Sequence, residues 1–460
     1  MSGDLSQFRR EFYQCLTARA DALFELCDAV LCQDGPVTSL VELSLAGPHR
    51  RGHGALYDGL AAGRVDISRL RRSLTATPLP RHESGAIVLA VDMSPWLRPD
   101  AQTSPARSHC HVSGRGNSNN QLIPGWPYSF IAALEPGRTS WTAILDVERV
   151  PRGTDLTVMT ANQIRALVQR LSQAQQHTAG LDPNILIVFD AGYDITRLAW
   201  LLADLPVDLL GRIRSDRVYY PLPEGPPNPR GGHPARHGTQ FKLIHAHTRT
   251  PDTDTESDTS RYGRARAVSW NELHQRLYRR AGWASHEGRL PIVNGTVIRL
   301  TVDHLPGERS PKPLWLWHSR AHTPSQDIDR LWRAYLRRFD LEHTFRFLKQ
   351  TLGWTRPRVR TPDQGDRWTW LLIAASTQLR LARYHVTDLR RPWEKPVTQP
   401  HQLSPARVRR GFINIHRKAH NPASAPKPTR PGPGRPPGSK NKHRAPRPAV
   451  GKPTDTETPG

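Results

Sequence analysis

The hydrophobic pattern changes its period along the chain and separates helical from strand-like segments. The first 78 residues carry apolar side chains at helical spacing, and Phe8–Leu31 contains neither proline nor glycine, which predicts helix throughout that stretch. After the Asp34-Gly35-Pro36 break the pattern predicts three short helices, of which the last has Asp66 as its N-cap. Their expected positions are Ser39–Leu45, His53–Ala62 and Arg64–Leu74.

Two uninterrupted apolar runs follow, and each ends at an aspartate. Ala86–Val91 precedes Asp92 and Ile185–Phe189 precedes Asp190, as expected of strands buried on both faces. A loop rich in glycine, serine and asparagine (Ser113–Gln121) comes after the first run. The other elements predicted between residues 120 and 213 are strands at Tyr128–Leu134 and Trp141–Val147, a hairpin turn at Gly137, helices at Thr157–Gln175 and Ile195–Ala203, and a strand at Val207–Ile213.

This succession of a three-strand meander and helix-linked strands resembles a ribonuclease H-like domain. The resemblance implies an α/β fold with a mixed sheet, with catalytic acids after the first strand, after the fourth strand and on a late helix. Asp92, Asp190 and Glu342 occupy those three places.

The pattern is interrupted between residues 212 and 321, where we expect a mostly β insertion. Polar loops are predicted at Pro221–Pro234 and Thr248–Ser260. Strands are predicted at Thr239–Ile244, Thr296–Val302 and Leu314–Trp317. The insertion holds four tryptophans that either belong to the core or stack on an unpaired base, namely Trp270, Trp283, Trp315 and Trp317.

A polar stripe on the segment Tyr335–Lys349 is the most informative local pattern. Its members stand at offsets 0, 3, 7 and 14, which places them within roughly 60° of one another on a helix. Apolar residues flank the stripe on both sides. An amphipathic surface helix with paired charges is the simpler alternative. The stripe consists of Tyr335, Arg338, Glu342 and Lys349.

The composition points to a polyanionic partner. Lys and Arg number 65 against 41 Asp and Glu, a net charge of +24, and nucleic acid is the commonest such partner. An anionic membrane is disfavoured, because the chain has no apolar run of membrane-spanning length. The N-terminus lacks a signal-peptide pattern, so we expect a cytoplasmic protein. The four cysteines predict neither a disulfide framework nor a zinc module.

Basic segments at both ends suggest where a nucleic acid would bind. Arg69, Arg71 and Arg72 on the third short helix suit a helix-turn-helix reader, although a helical cap on the next domain is the alternative. Residues 401–460 hold 12 prolines and 13 Lys or Arg against 2 acids, which predicts a disordered tail. Within it, Arg435 lies in an AT-hook-like motif suited to a narrow minor groove; a tail without sequence preference is the alternative.

The three acids form an oxygen-only set that suits Mg²⁺, with Mn²⁺ as a substitute. Two such ions per site would support in-line attack on phosphorus by water or a 3′-hydroxyl. Asp194 and Asp100 are weaker candidates for the catalytic acids than Asp190 and Asp92, because neither directly follows an apolar run. His109-Cys110-His111 suggests a soft metal site but lacks a fourth ligand.

The chain resembles DDE-type insertion-sequence transposases that carry a Tyr-x2-Arg-x3-Glu-x6-Lys signature, which the polar stripe matches at every position. VLAVDMSPW and IVFDAGYD resemble the family's aspartate blocks. The resemblance implies that Asp92, Asp190 and Glu342 bind the metals and that Tyr335, Arg338 and Lys349 grip DNA phosphates. It also implies a bacterial, nucleoid-associated protein that excises and inserts DNA as a homodimer in a synaptic complex.

Two other functions remain open from the sequence: a non-catalytic architectural DNA-binding protein, and a transposase relic that has lost activity. The expected domains are 1–78 (N-terminal helical, possible DNA binding), 79–211 (catalytic core, first part), 212–321 (mostly β insertion), 322–390 (catalytic core, second part) and 391–460 (basic tail).

Overall fold

The computed structural model describes residues 3–52, 54–83, 85–113, 120–137, 139–175, 185–224, 234–305, 311–419, 421–427, 438 and 445–451. Arg435 and residues 225–233 of the predicted Pro221–Pro234 loop lie outside the described residues.

The N-terminal region is helical, but its first predicted stretch is not one helix. The chain leaves the helix at Leu16, pairs with Val65, and turns at Arg19, whose φ of 54° is left-handed. The prediction of helix throughout Phe8–Leu31 is therefore wrong at this break, because a long-range strand pair overrides local propensity. The elements are α1 Gly3–Cys15, β1 Leu16–Ala18, α2 Ala20–Cys32, α3 Leu40–Leu43, α4 Gly54–Ala62, β2 Arg64–Val65 and α5 Ile67–Ala76.

The Asp66 cap is confirmed, since its carboxylate accepts the Arg69 backbone N–H at 2.9 Å. Arg71 on the same helix is engaged within the protein. Its guanidinium pairs with Asp146 and Glu148 and lies over the Trp370 ring. These contacts favour the helical-cap interpretation of α5 over a DNA reader.

The central sheet has the ribonuclease H-like order predicted from the sequence. Strands run β6–β5–β3–β7–β8, with antiparallel pairs on the β5 side of β3 and parallel pairs on the β7 side. The elements are β3 Ile87–Leu97, β4 Ser108–Ser113, β5 Asn120–Leu134, β6 Thr142–Arg149, α6 Leu156–Gln175, β7 Ile185–Phe189, α7 Ile195–Leu201 and β8 Val207–Ile213. Two details were not predicted: β3 continues past Asp92 to Leu97 along β5, and β4 pairs with the first part of β5.

The insertion strands extend this same sheet, because β14 pairs antiparallel with β8. The elements are β9 Val218–Tyr219, β10 Phe241–Lys242, β11 Thr253–Thr259, β12 Gly263–Leu273, β13 Gly295–Val302 and β14 Leu314–His318, with 3-10 turns at Leu243–Thr248 and Ala281–Trp283.

The predicted polar loop at Thr248–Ser260 is wrong, since most of it is the edge strand β11. Half-buried threonine and serine alternate there with exposed acids. This two-residue period is typical of a strand, but hydrophobicity does not reveal it because every residue is polar. The Thr239–Ile244 strand is reduced to β10 followed by a 3-10 turn. All four insertion tryptophans are at most 6% exposed, so they are core residues and the base-stacking alternative fails for them.

The C-terminal helices contain two further corrections. The Tyr335–Lys349 segment is not one helix: it breaks at Arg338, whose N–H bonds to the Tyr335 carbonyl three residues back at 3.0 Å. Residues 403–416, predicted to belong to a disordered tail, include a packed helix that buries Val408 and Phe412. The elements are α8 Ser325–Arg337, α9 Phe339–Gln350, α10 Pro362–Ala382, a 3-10 turn Pro400–Gln402 and α11 Pro405–His416.

Two hydrophobic clusters cover the two faces of the sheet. Val88 and Ala90 of β3 pack with α8, α9 and α10 on one side, whereas Leu89 and Val91 pack with α6 and α7 on the other. This alternation explains why the central strands are apolar at every position.

Candidate active site

Asp92 and Asp190 are brought side by side by the parallel pairing of β3 and β7. The last paired residues are Val91 and Phe189, so the two aspartates follow at the same level. Because side chains alternate along a strand, both carboxylates lie on the face covered by α8 and α9, together with Ala90 and Val188. The strand β3 does not end at Asp92 as predicted, because it continues along β5 to Leu97. The part of β3 that pairs with β7 does end there, with Val91 as its last paired residue.

The break between α8 and α9 places Arg338 directly over this pair. One guanidinium nitrogen lies 3.0 Å from Asp92 Oδ2; the other lies 3.5 Å from Asp190 Oδ2 and 3.7 Å from Glu342 Oε1. The Tyr335 hydroxyl donates to Asp190 Oδ1 at 3.4 Å. Five residues chosen from the sequence therefore meet, although Asp92 and Glu342 are 250 positions apart.

The electrostatics of the cluster follow from partial burial. The pKa of Asp92 is raised to about 6, with burial as the largest cause; Asp190 and Glu342 also raise it, while Arg338 and the Met93 N–H lower it. The pKa of Arg338 is raised in spite of its burial, because the Asp190 and Asp92 carboxylates and the Tyr335 oxygen favour the charged form. Burial and Asp190 likewise raise the pKa of Tyr335 to about 12. Arg338 is only 4% exposed and neutralises the acids from within the protein.

Lys349 does not join this cluster. It is seven residues from Glu342 within α9, which keeps the two on one face but separates them by about 10 Å along the axis. Its Nζ lies 5.5 Å from the Trp354 ring centre, and burial lowers its pKa. The stripe predicted from the sequence is therefore divided: Tyr335, Arg338 and Glu342 lie at the aspartates, and Lys349 lies two helical turns from Glu342.

The three carboxylates are chemically suitable ligands for a divalent metal ion, although the Arg338 guanidinium lies between them. Oxygen-only donors are the set that Mg²⁺ and Mn²⁺ prefer. Among the described residues, no three His, Cys, Asp or Glu side chains are arranged to hold an ion as they stand. Glu342, with 52% of its side chain exposed, has the freedom to turn toward the two aspartates.

The neighbouring alternatives weighed from the sequence are explained by the fold. Asp194 caps α7, because its carboxylate accepts the Arg197 N–H at 3.0 Å. His109 and His111 are exposed on β4 while Cys110 is buried between them. Strand alternation therefore directs the thiol away from the two imidazoles, which excludes a shared soft metal site.

Two residues beside the acids were not identified from the sequence. Arg212 follows Gly211, the partner of Phe189, so it is level with Asp190 on the next strand. It is exposed, and its charge opposes the rise in the pKa of Tyr335. Phe339 is 47% exposed, with its ring 5.2 Å from the Arg338 guanidinium carbon. The available signal for Arg212 was a charged residue inside the otherwise mostly apolar second half of β8.

Comparisons with known proteins place the chain in a family. The sequence profile described as DDE superfamily endonuclease matches residues 11–276, more than half of the chain. That span includes Asp92 and Asp190 and ends before Glu342. A search of the curated proteins finds no match.

Among solved structures, the chain is similar to a piggyBac transposase in a synaptic complex with hairpin DNA, determined by cryo-EM. The TM-score is 0.42 at 10% sequence identity, over 88% of this chain and 73% of the other. No described helix combines the length and apolar character that a membrane crossing requires. Endonucleases of the matched superfamily generally use divalent metal ions. From the profile match, this chain belongs to the DDE superfamily endonucleases.

Proposed function

We propose that this protein is a DNA transposase of the insertion-sequence type, with Asp92, Asp190 and Glu342 as its metal-binding catalytic acids. The observation that carries the proposal is the convergence of these three carboxylates, from two parallel strands and a helix, on one guanidinium. The superfamily profile spans the first two acids, and the Tyr-Arg-Glu-Lys signature supplies the third.

In this proposal two Mg²⁺ or Mn²⁺ ions per site would activate the attacking oxygen and stabilise the leaving oxygen at phosphorus. The chain's own residues position the reactants. Asp92 and Asp190 are held at one level by the sheet, and Tyr335 orients Asp190 through its hydroxyl. Arg338, once released from the acids, offers a two-pronged donor to a phosphate.

The DNA would extend from the acids along the basic residues near them. Lys349 lies two turns of α9 from Glu342 and would contact a phosphate farther along the strand. Arg435 in the tail would enter a minor groove.

We further propose that the protein forms a homodimer that holds two transposon ends in a synaptic complex, and that it is cytoplasmic and associated with the nucleoid. Light scattering with and without end DNA tests the dimer: a particle that stays monomeric on end DNA rejects it.

The decisive experiment is cutting of a plasmid that carries the gene with its native flanks, in Mg²⁺ or Mn²⁺. The wild type is compared with Glu342→Gln, Asp92→Asn and Asp190→Asn. Asp194→Asn is the matched control, because it removes a carboxylate that caps α7 while asparagine caps a helix about as well as aspartate does. We expect the wild type and the control to cut at the element boundaries and the three other variants not to.

Boundary cutting that survives Glu342→Gln would remove Glu342 from the site. Absence of cutting by the wild type, with salt-sensitive DNA binding retained, would instead identify an architectural protein or an inactive relic.

A further inference from the structure

Each aspartate of the candidate active site has one carboxylate oxygen bonded to a neighbouring group and the other bonded to Arg338. Asp92 Oδ1 accepts the Met93 backbone N–H at 2.8 Å, and Asp190 Oδ1 accepts the Tyr335 hydroxyl at 3.4 Å. The remaining oxygens, Asp92 Oδ2 and Asp190 Oδ2, lie 3.0 and 3.5 Å from the two terminal nitrogens of Arg338. Arg338 therefore binds the oxygens that the neighbouring groups leave available.

The position of the Arg338 guanidinium depends on the carboxylates themselves. Its second terminal nitrogen also lies 3.7 Å from Glu342 Oε1. Within the described part of the chain, its polar contacts are limited to the three acids and the Tyr335 oxygen, and its buried Nε has no hydrogen-bond partner. The half-exposed Phe339 ring lies 5.2 Å from the guanidinium carbon, so solvent is close to a group that is itself only 4% exposed.

Arg338 and a divalent ion would compete for the same oxygens. Mg²⁺ and Mn²⁺ prefer carboxylate oxygens, and the free ones of Asp92 and Asp190 are those that the guanidinium binds. Two cations at such short range also repel each other. Binding of an ion between the two aspartates therefore requires that Arg338 leaves them.

A guanidinium that leaves the acids needs another anion, because a buried charge without a partner is costly. A phosphate presents two oxygens to the guanidinium fork, as the two aspartates do here. Arg212 is exposed and level with Asp190 on the next strand, so its charge favours the approach of a phosphate. The anion that releases Arg338 is therefore expected to come from DNA.

We propose that Arg338 keeps divalent ions away from the three acids until a DNA phosphate binds its guanidinium, so that DNA and metal bind cooperatively. The inference rests on the proposed function for two points, that the acids bind the metal and that the polyanion is DNA. It adds an order of binding, in which the active site is completed only on DNA. By linkage, DNA strengthens metal binding by the same factor as metal strengthens DNA binding.

The test measures Mn²⁺ binding by the full-length protein from the loss of the electron paramagnetic resonance signal of the free ion, without and with a duplex that ends at the element boundary. Such a duplex has no bond left to cut at the boundary, and the Mn²⁺ that it binds alone is subtracted. Arg338→Ala is compared with the wild type. Arg346→Ala is the matched control, because Arg346 is an exposed arginine one turn beyond Glu342 on α9.

We expect the duplex to tighten Mn²⁺ binding by the wild type about 5- to 150-fold, the usual range of coupling between two sites. Without DNA, Arg338→Ala should bind Mn²⁺ more tightly than the wild type does, and the duplex should then add less. Arg338→Lys keeps the charge but cannot fork across two carboxylates, so its Mn²⁺ affinity should lie between the two. Arg346→Ala removes the same charge without removing a contact to the acids and should retain the wild-type response to the duplex.

Equal Mn²⁺ affinity of the wild type with and without the duplex would overturn the proposal, and this comparison does not depend on the folding of any variant. So would an Arg338→Ala protein that binds Mn²⁺ without DNA no more tightly than Arg346→Ala does. Absence of Mn²⁺ binding in every state would reject the acids as metal ligands, and the proposed function with them. Metal binding that DNA does not change, together with cutting at the element boundaries, would reject only the order of binding.

Discussion

The guanidinium of Arg338 lies 3.0 Å from the carboxylate of Asp92, at the point where α8 gives way to α9. The same group reaches Asp190 and Glu342 within 4 Å. A single buried cation therefore compensates three acids that would otherwise repel one another. If the proposed function holds, a divalent ion would bind where this guanidinium lies, and Arg338 would have to move to admit it.

Replacing Arg338 by alanine should destabilise the metal-free protein and make its stability depend on metal. Loss of the cation leaves three carboxylates uncompensated, at roughly 1–3 kcal/mol of unfolding free energy in EDTA. Saturating Mg²⁺ should restore more stability to Arg338→Ala than to the wild type. Urea unfolding with EDTA or Mg²⁺ measures both quantities.

Arg346→Ala is the control for Arg338→Ala, since Arg346 is exposed one turn beyond Glu342. If the two variants showed the same response to Mg²⁺, Arg338 would not compete with the metal.

Asp28→Asn should destabilise the helical layer strongly. Asp28 is 1% exposed and accepts from both terminal nitrogens of Arg9 at 2.7 and 2.9 Å and from His416 Nε2 at 3.0 Å, which joins α1, α2 and α11. Arg9 and His416 hold the pKa of this carboxyl down against its burial. Breaking such a buried pair costs about 3–5 kcal/mol in chemical unfolding.

The control for Asp28→Asn is Asp58→Asn, which removes an exposed partner of Arg19 at 2.9 Å and should cost no more than about 1 kcal/mol. Similar losses in the two variants would mean that Asp28 is not a structural centre.

His318 should make the protein less stable in mild acid. It is 2% exposed, bonded to Thr323 at 2.8 Å, and burial lowers its pKa to about 4. The unfolded chain binds the proton first, so stability is retained above about pH 6.5 and is lost as the pH falls toward 4. Between pH 6.5 and 5 we expect a loss of roughly 2 kcal/mol from this residue.

His318→Asn should remove that part of the pH slope in urea titrations at the two pH values. Thr323→Val, which deletes the bonding partner but keeps the imidazole, should lower stability while retaining the slope. An unchanged slope in His318→Asn would assign the acid sensitivity to other groups.

Removing residues 428–460 should reduce the salt dependence of DNA binding without unfolding the protein. This segment carries seven Lys or Arg and two acids, and each phosphate contact adds about −0.9 to the log–log slope, so the slope should decrease by at most about 6. Arg435→Ala alone should weaken binding more on A·T-rich than on G·C-rich duplexes. A slope that does not change would show that the tail makes no DNA contact.

The longer deletion of residues 401–460 should behave differently. It removes α11, whose Val408 and Phe412 are buried, and Arg409, which donates to the Val30 carbonyl at 2.8 Å. We expect it to lower the melting temperature, whereas the shorter deletion should not.

Elements whose pattern is local were predictable. The strands β7 and β8 match their predicted bounds, and in β7 burial on both faces demands an apolar residue at every position. The Asp66 cap follows from one side chain and one backbone N–H. By contrast, β11 was missed because its polar alternation resembles a loop until β12 pairs with it. Leu16–Ala18 was missed because its partner lies near residue 65.

The sequence by itself determined which residues had to be considered at the site: two aspartates ending buried runs and a Tyr-Arg-Glu-Lys spacing late in the chain. Only the tertiary structure decided their arrangement. Parallel register sets Asp92 beside Asp190, and Arg338, at the junction of α8 and α9, has its guanidinium within 4 Å of three carboxylates. Lys349 lies two turns farther along α9, near Trp354. The reason is physical: helical spacing describes angles about one axis, and it carries no information about where one helix ends and the next begins or which strand end a helix faces.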